Sequence, residues 1–253
     1  MQNVILVLVD GLEAGTAHRC MSYMSALTEA GIARHTTLDA ELPPLSRPIY
    51  ATLLTGLPPT TTGVTGNDPP IATLPGTIFH KACRQGLRTA AAAFFWMSEL
   101  CNRIPFDAAR DRFSNDPNLP ISHGLFYVSE SYPDRECFLD AEALRRMCSP
   151  HLLLVHPMGV DTAGHACGVR SSVYRDAVRH VDDLLAAHLP GWLEEGFCVI
   201  VTGDHGMDEE GRHHDATALS RQVPFWMAGA SLPIPASQHH VAGLMEKLLG
   251  ITS

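Results

Sequence analysis

The chain has 253 residues, 45% of them apolar and 18% charged, with a formal net charge of -9. The apolar share supplies a sizeable core and excludes a disordered chain, and the length fits one large α/β domain or two small ones. Lys81 and Lys247 are the only lysines among 18 basic residues and no basic run occurs, which speaks against a nucleic-acid polymer or an anionic membrane as partner, though not against a small phosphate held through bound cations.

Asn3 to Val9 reads as the first strand, ending at Asp10-Gly11, where Asp is by default a turn former. Met21 to Ala30 has helical spacing and stops at Gly31. Ile32 to Leu38 is a second strand, near an edge because it mixes polar residues. In Leu42 to Gly56, Pro43-Pro44 excludes a helix while Tyr50 to Leu54 fits one, so the helix starts near Ser46 with Pro48 in its first turn. Ser46 then has two readings: an N-cap, or a nucleophile where free N–H groups and the helix dipole favour a phosphate. Gly56 to Pro70 is a loop carrying Asn67, by default a turn residue. Pro75 to Gln85 is a helix closed by Gly86, and Leu87 to Phe95 a strand so rich in Ala that something packs closely on it. Trp96 to Pro133 reads as a long irregular segment, a lid or small insertion.

Phe138 to Met147 is helical, and His151 to Val155 is a buried strand leading into HPMGVDTAGHACG. Asp161 and His165 stand four residues apart there, a spacing that on a helix turns both toward one metal ion. Val173 to Leu189 is a long amphipathic helix. The apolar run Phe197 to Val201 stops at Thr202-Gly203; Asp204 and His205 follow at once, and an acidic loop leads to His213 and His214. Pro224 to Ala228 and His240 to Leu249 are the last strand and helix. Seven cysteines, an odd number without CxxC spacing, fit buried thiols in a reducing compartment. The apolar start is too short for a secretory h-region and no stretch is long enough to span a bilayer, so the expectation is a cytoplasmic protein with no membrane partner.

Strands alternate with helices throughout, which predicts a three-layer α/β/α sandwich with a mostly parallel central sheet, one domain over 1–253. The polar candidates all follow strands or open a helix, and in such a sheet ligands bind at the carboxyl ends of the strands. Asp10, Ser46, Asp161, His165, Asp204, His205 and one of His213 or His214 are therefore expected to share one edge. Three carboxylates, three imidazoles and a hydroxyl suit two zinc-like ions roughly 3.5–4 Å apart, which clamp the attacking and leaving oxygens of an in-line displacement.

The ordered pieces VDGL at Asp10, Ser46-Arg47-Pro48 to Thr55-Gly56, GVTGN ending at Asn67, LRTAAAAFFW, DTAGH and TGDHGM resemble the alkaline phosphatase superfamily, and within it the type I phosphodiesterase/nucleotide pyrophosphatase branch. The resemblance runs from Val9 to Met207. It implies that Asp10, Asp204 and His205 hold one divalent ion, with Ser46 bound to it, and that Asp161, His165 and a later His hold the other. The family's G-x-H fits Gly211-Arg212-His213, which favours His213 over His214. Asn67 matches the residue that helps bind a non-bridging phosphoryl oxygen. The resemblance further implies two ions, zinc or alternatively manganese, and a small phosphorylated, nucleotide-like substrate cleaved at a phosphodiester or pyrophosphate bond through a phosphoseryl intermediate on Ser46.

Ser replaces the branch's usual Thr, and Ile49-Tyr50 replace its frequent Asn-His. The same Ile49-Tyr50 lack the Ser-Arg of a sulfatase modification signal. Phosphonoacetate hydrolysis uses the same metal set and stays an alternative. Phosphomonoester hydrolysis is a second one, needing more cationic donors than the single candidate Arg47. A phosphoethanolamine transferase would be expected to carry membrane spans. The alternative from another class is a non-catalytic metal- or nucleotide-binding module, against which the intact ligand set speaks.

Overall fold

The computed structural model describes residues 1–252. Its centre is β1 (Val4–Val9), six buried residues whose side chains alternate between two cores. Val4, Leu6 and Leu8 face one core, and Ile5, Val7 and Val9 the other, as the period of two requires. β6 (Leu152–Val155) and β7 (Cys198–Gly203) flank β1, both parallel to it. The single eight-stranded sheet has the order β2-β8-β7-β1-β6-β3-β5-β4. Here β2 is Ala33–Asp39, β3 Thr89–Phe94, β4 Phe113–Asn115, β5 His123–Tyr127 and β8 Gln222–Ala228. The five strands from β7 to β5 run parallel, β8 is antiparallel to both neighbours, and β4 is an antiparallel edge.

One face of the sheet is covered by α1 (Ala14–Cys20), α2 (Ser22–Glu29), α8 (Asp134–Cys148) and α10 (Ser172–Glu194). The other is covered by α3 (Ser46–Thr55), α5 (Ile78–Arg84), α6 (Trp96–Cys101) and α12 (His239–Leu249). The short α4 (Pro59–Thr62), α7 (Ala108–Asp111), α9 (Gly159–Cys167) and α11 (Ala218–Arg221) lie in the connections. The expected three-layer α/β architecture is therefore present, and β2 is an edge strand as its mixed composition predicts.

Several boundaries differ. α1 was not expected; Glu13 opens it by accepting from the N–H groups of Gly15 and Thr16. α10 runs past Pro190 to Glu194 instead of stopping at Leu189. The largest difference lies in residues 96–133, expected to be irregular. Two short helices and two strands form there, and β5 joins the sheet beside β3. β5 hides from a periodicity reading because its five residues HGLFY include His and Gly. Its Gly124 sits where the Phe126 ring would be 2.2 Å from a Cβ. The alanines of β3 do admit a close neighbour: Cys137 of α8 brings its Sγ to 3.5 Å from the Ala92 carbonyl oxygen.

Candidate active site

Asp10 follows β1, His156 follows β6, and Asp204 and His205 follow β7, so adjacent parallel strands deliver these side chains to one edge. α9 carries Asp161 and His165 one helical turn apart. Its approach to β1 depends on Gly11, whose φ is +68° and where a Cβ would lie 2.8 Å from the Asp161 carboxylate. α3 begins at Ser46. Leu45 occupies the N-cap position without a side-chain cap, and Ser46 Oγ lies 3.2 Å from His205 Nε2 rather than capping the helix.

The tautomers of three imidazoles follow from their partners. His165 Nδ1 meets the Gly211 carbonyl at 2.8 Å, His205 Nδ1 the Gly206 carbonyl at 2.9 Å, and His213 Nδ1 the Pro44 carbonyl at 2.8 Å. A carbonyl only accepts, so each Nδ1 carries the proton and each Nε2 presents a lone pair. These lone pairs converge. His213 Nε2 is 3.3 Å from His165 Nε2, and the His205 and His213 rings stack at 3.6 Å and 7°. His205 Nε2 is also 3.2 Å from Asp204 Oδ2 and 3.4 Å from Asp10 Oδ1, and His165 Nε2 is 3.4 Å from Asp161 Oδ2.

Asp10 Oδ1, Asp161 Oδ1 and Asp204 Oδ2 are buried without a hydrogen-bond partner. Orphaned carboxylate oxygens beside Nε2 lone pairs are what a divalent cation neutralises, so the donor set fits metal. Ligand atoms of Asp10, Asp204 and His205 lie within 4.8 Å of one another, as do those of Asp161, His205 and His213. His165 joins the second group from the rim, its side chain 47% exposed. His214 is exposed, its ring centroid 6.4 Å from that of His213.

The electrostatics agree with the geometry. Burial works to raise the Asp10 carboxyl, but the His156 hydrogen bond, His205 and the Tyr50 hydroxyl together hold it at about 2. Burial, then the charge on Asp10, push Asp161 and Asp204 well above the usual carboxylate range. Burial, then His213, depress His205 to about 3, and burial lowers His213. Burial thus favours the neutral form of His205 and His213, and disfavours the charged form of Asp161 and Asp204, a penalty that a cation would relieve.

Asn67 sits beside the start of α3, its Oδ1 accepting the Arg47 backbone N–H at 3.1 Å. The Arg47 side chain, the single candidate cationic donor for a phosphate, is engaged elsewhere. It is 1% exposed, donates Nη2 to Glu99 at 2.7 Å and lies 4.2 Å over Trp96. The aromatic residues Trp96, Phe106, Phe113, Phe126 and Tyr127 do not share one surface. Phe126 and Tyr127 are core residues of β5, and Phe113 is 71% exposed on the β4 edge.

Sequence reasoning missed three residues. His156 is fully buried with Nε2 3.3 Å from Asp10 Oδ2, and Tyr50 donates its hydroxyl to the same oxygen. Buried Gln238 donates to the Asp204 backbone carbonyl at 2.7 Å and accepts from Glu41 N–H at 3.0 Å. The signal for His156 was available: it stands directly after a buried strand, as Asp10 does.

An eight-stranded, mostly parallel sheet with this cluster at its carboxyl edge defines a member of the alkaline phosphatase superfamily. The model of the type I phosphodiesterase / nucleotide pyrophosphatase family matches residues 4–228, and the chain belongs to that family. The family is metal-dependent. Among solved structures, human ectonucleotide pyrophosphatase / phosphodiesterase 5 superimposes with a TM-score of 0.78 at 14% identity, covering 100% of this chain and 96% of that one. An inactive variant of the murine protein in complex with AMP gives 0.72 at 14% identity, covering 100% and 96%. A 2-O GAG sulfatase gives 0.68 at 16% identity, covering 100% and 71%. These likenesses show the fold. Among curated relatives, GPI ethanolamine phosphate transferase 1 of Yarrowia lipolytica is 30% identical over 92 residues, 34% of this chain and 10% of that protein. GPI ethanolamine phosphate transferase 3 of Schizosaccharomyces pombe is 36% identical over 76 residues, 30% and 8%. The match thus spans a tenth or less of those relatives' length. Among the described residues, no helix is long and apolar enough to cross a membrane.

Proposed function

We propose that the chain is a two-metal hydrolase of small, nucleotide-like phosphodiesters or pyrophosphates, acting through a phosphoseryl intermediate on Ser46. The observation that carries this reading is the convergence of three Nε2 lone pairs and three orphaned carboxylate oxygens in one cluster, which the Ser46 hydroxyl reaches at His205 Nε2. Asp10, Asp204 and His205, with Ser46, would hold one ion, and Asp161, His165 and His213 the other. Zinc suits this N/O set, with manganese as the alternative. Two divalent ions would offset the three carboxylates, draw charge from phosphoryl oxygens and ease deprotonation of a hydroxyl or water.

The chain's own groups do the rest. Ser46 Oγ forms a bond to phosphorus as the ester P–O bond breaks, and the departing alcohol takes up a proton. Water then forms the second P–O bond, the Oγ–P bond breaks, and Ser46 regains its proton. Asn67, its Oδ1 already engaged by Arg47 N–H, has its amide N–H groups free to donate to a non-bridging oxygen. Engagement of the Arg47 guanidinium by Glu99 and Trp96 leaves few cationic donors for a monoester dianion, which favours diesters. The seven free cysteines, four of them buried, support a reducing, cytoplasmic compartment.

The test is an acid quench during turnover of a nitrophenyl nucleotide monophosphate by the zinc-loaded protein, with peptide mapping. A nucleoside monophosphoryl group on the Ser46 peptide, left when nitrophenolate departs and absent from Ser46→Ala, is expected; a metal-loaded, active protein without it refutes the covalent route. The ethanolamine phosphate transferase matches favour a second reading, in which the diester carries an ethanolamine group. Faster turnover of glycerophosphoethanolamine than of the nucleotide diester selects that reading.

A further inference from the structure

We infer that Tyr50 and His156 are positioning residues that hold Asp10 as a one-oxygen metal ligand. The inference rests on the metal-site reading above. The two oxygens of Asp10 differ completely in their surroundings. Oδ2 accepts from the Tyr50 hydroxyl and faces His156 Nε2 at 3.3 Å, whereas Oδ1 is buried, lacks a hydrogen-bond partner and lies 3.4 Å from His205 Nε2.

The His156 ring is fixed as a donor. The backbone N–H of Phe94 approaches its Nδ1 at 3.4 Å, and a backbone N–H can only donate, so the ring proton sits on Nε2, toward Asp10. The residue is anchored on both sides: its N–H donates to the Ala92 carbonyl at 3.0 Å, and its own carbonyl accepts from the Tyr127 hydroxyl. The Tyr50 and His156 rings meet edge-on at 4.9 Å and 82°, so each limits the other's rotation.

Tyr50 also ties Asp10 to the nucleophile. It stands four residues after Ser46 on α3, one helical turn along the same face. One rigid helix therefore presents Ser46 Oγ to His205 and the Tyr50 hydroxyl to Asp10. With Oδ2 engaged twice, only Oδ1 of Asp10 is left to hold a cation, which would leave room for Ser46 and substrate.

The experiment measures zinc affinity by chelator competition in a His165→Ala background, which leaves the Asp10, Asp204 and His205 site, and in an Asp204→Asn background, which leaves the other. Adding Tyr50→Phe removes only the hydroxyl. It is expected to weaken zinc about 10–100-fold in the first background and leave the second unchanged. His156→Leu should act in the same direction, while His156→Gln, which keeps an N–H donor, should recover part of the loss. Unchanged affinity in the first background, or equal loss in both, overturns the inference. A wild-type chain that binds no zinc refutes the metal-site reading itself, so the two failures are separable.

Discussion

His165 and His213 face each other through their Nε2 atoms at 3.3 Å, each donating its Nδ1–H to a backbone carbonyl. Two lone pairs at that distance repel unless a cation lies between them and the neighbouring Asp161. His213→Ala should therefore remove one of two ions and lower kcat/KM by more than about 100-fold, beyond the usual loss of an outer hydrogen bond. His214→Ala, at an exposed position, should retain both ions and activity. Elemental analysis alongside kinetics checks the pair, and equal mild effects would move the seventh ligand elsewhere.

Metal affinity should rise with pH. Asp161 and Asp204 are raised by burial and by the charge of Asp10, so the metal-free folded protein carries protons there that a cation must release. Their contribution to metal-free stability is fully present below the unfolded carboxylate value and is lost as pH rises through their folded values. His205, depressed to about 3, has the opposite sign: its penalty is absent above the unfolded histidine value and appears as pH falls below it. The gain in Tm on zinc loading should therefore grow with pH while zinc stays soluble. A gain that shrinks as pH rises contradicts this assignment.

The Arg47–Glu99 pair is a buried structural contact. Arg47→Met strands the Glu99 carboxylate and should cost on the order of 3–5 kcal/mol, whereas Arg47→Met with Glu99→Leu should recover most of it. Because the guanidinium is engaged away from the cluster, the double variant should keep the wild-type ratio of diester to monoester turnover. Urea unfolding and matched kinetics test both parts, and a changed ratio would return Arg47 to the substrate.

Asn67→Ala should lower diester kcat/KM about 10²–10³-fold, the usual cost of one oxyanion donor. Asn67→Asp keeps an acceptor for Arg47 N–H yet loses the amide donor, and should be no better. Wild-type protein should prefer the diester of a matched diester and monoester pair. A clear monoester preference reverses the substrate choice and leaves Ser46 and the ligands in place.

The central strands were legible from the chain because apolar runs such as VILVLV and CVIVTG need no partner to declare a buried strand. Asp10, Asp204 and His205 were legible as candidates because they stand immediately after those runs, where a parallel sheet gathers side chains at one edge, and Asp161 and His165 because they stand four residues apart. Long-range partners decided the remainder. His213 rather than His214 turns inward because a carbonyl 169 residues away, at Pro44, holds its ring. Arg47 is buried because Glu99 and Trp96 lie opposite it, and Tyr50 reaches Asp10 only once α3 packs on the sheet. β5 is a strand because β3 offers it a hydrogen-bonding edge that outweighs its own weak pattern. A side chain's type and its place along the chain are local properties, whereas its direction and hydrogen-bond partners depend on elements that meet only after the sheet and its two helical layers have closed.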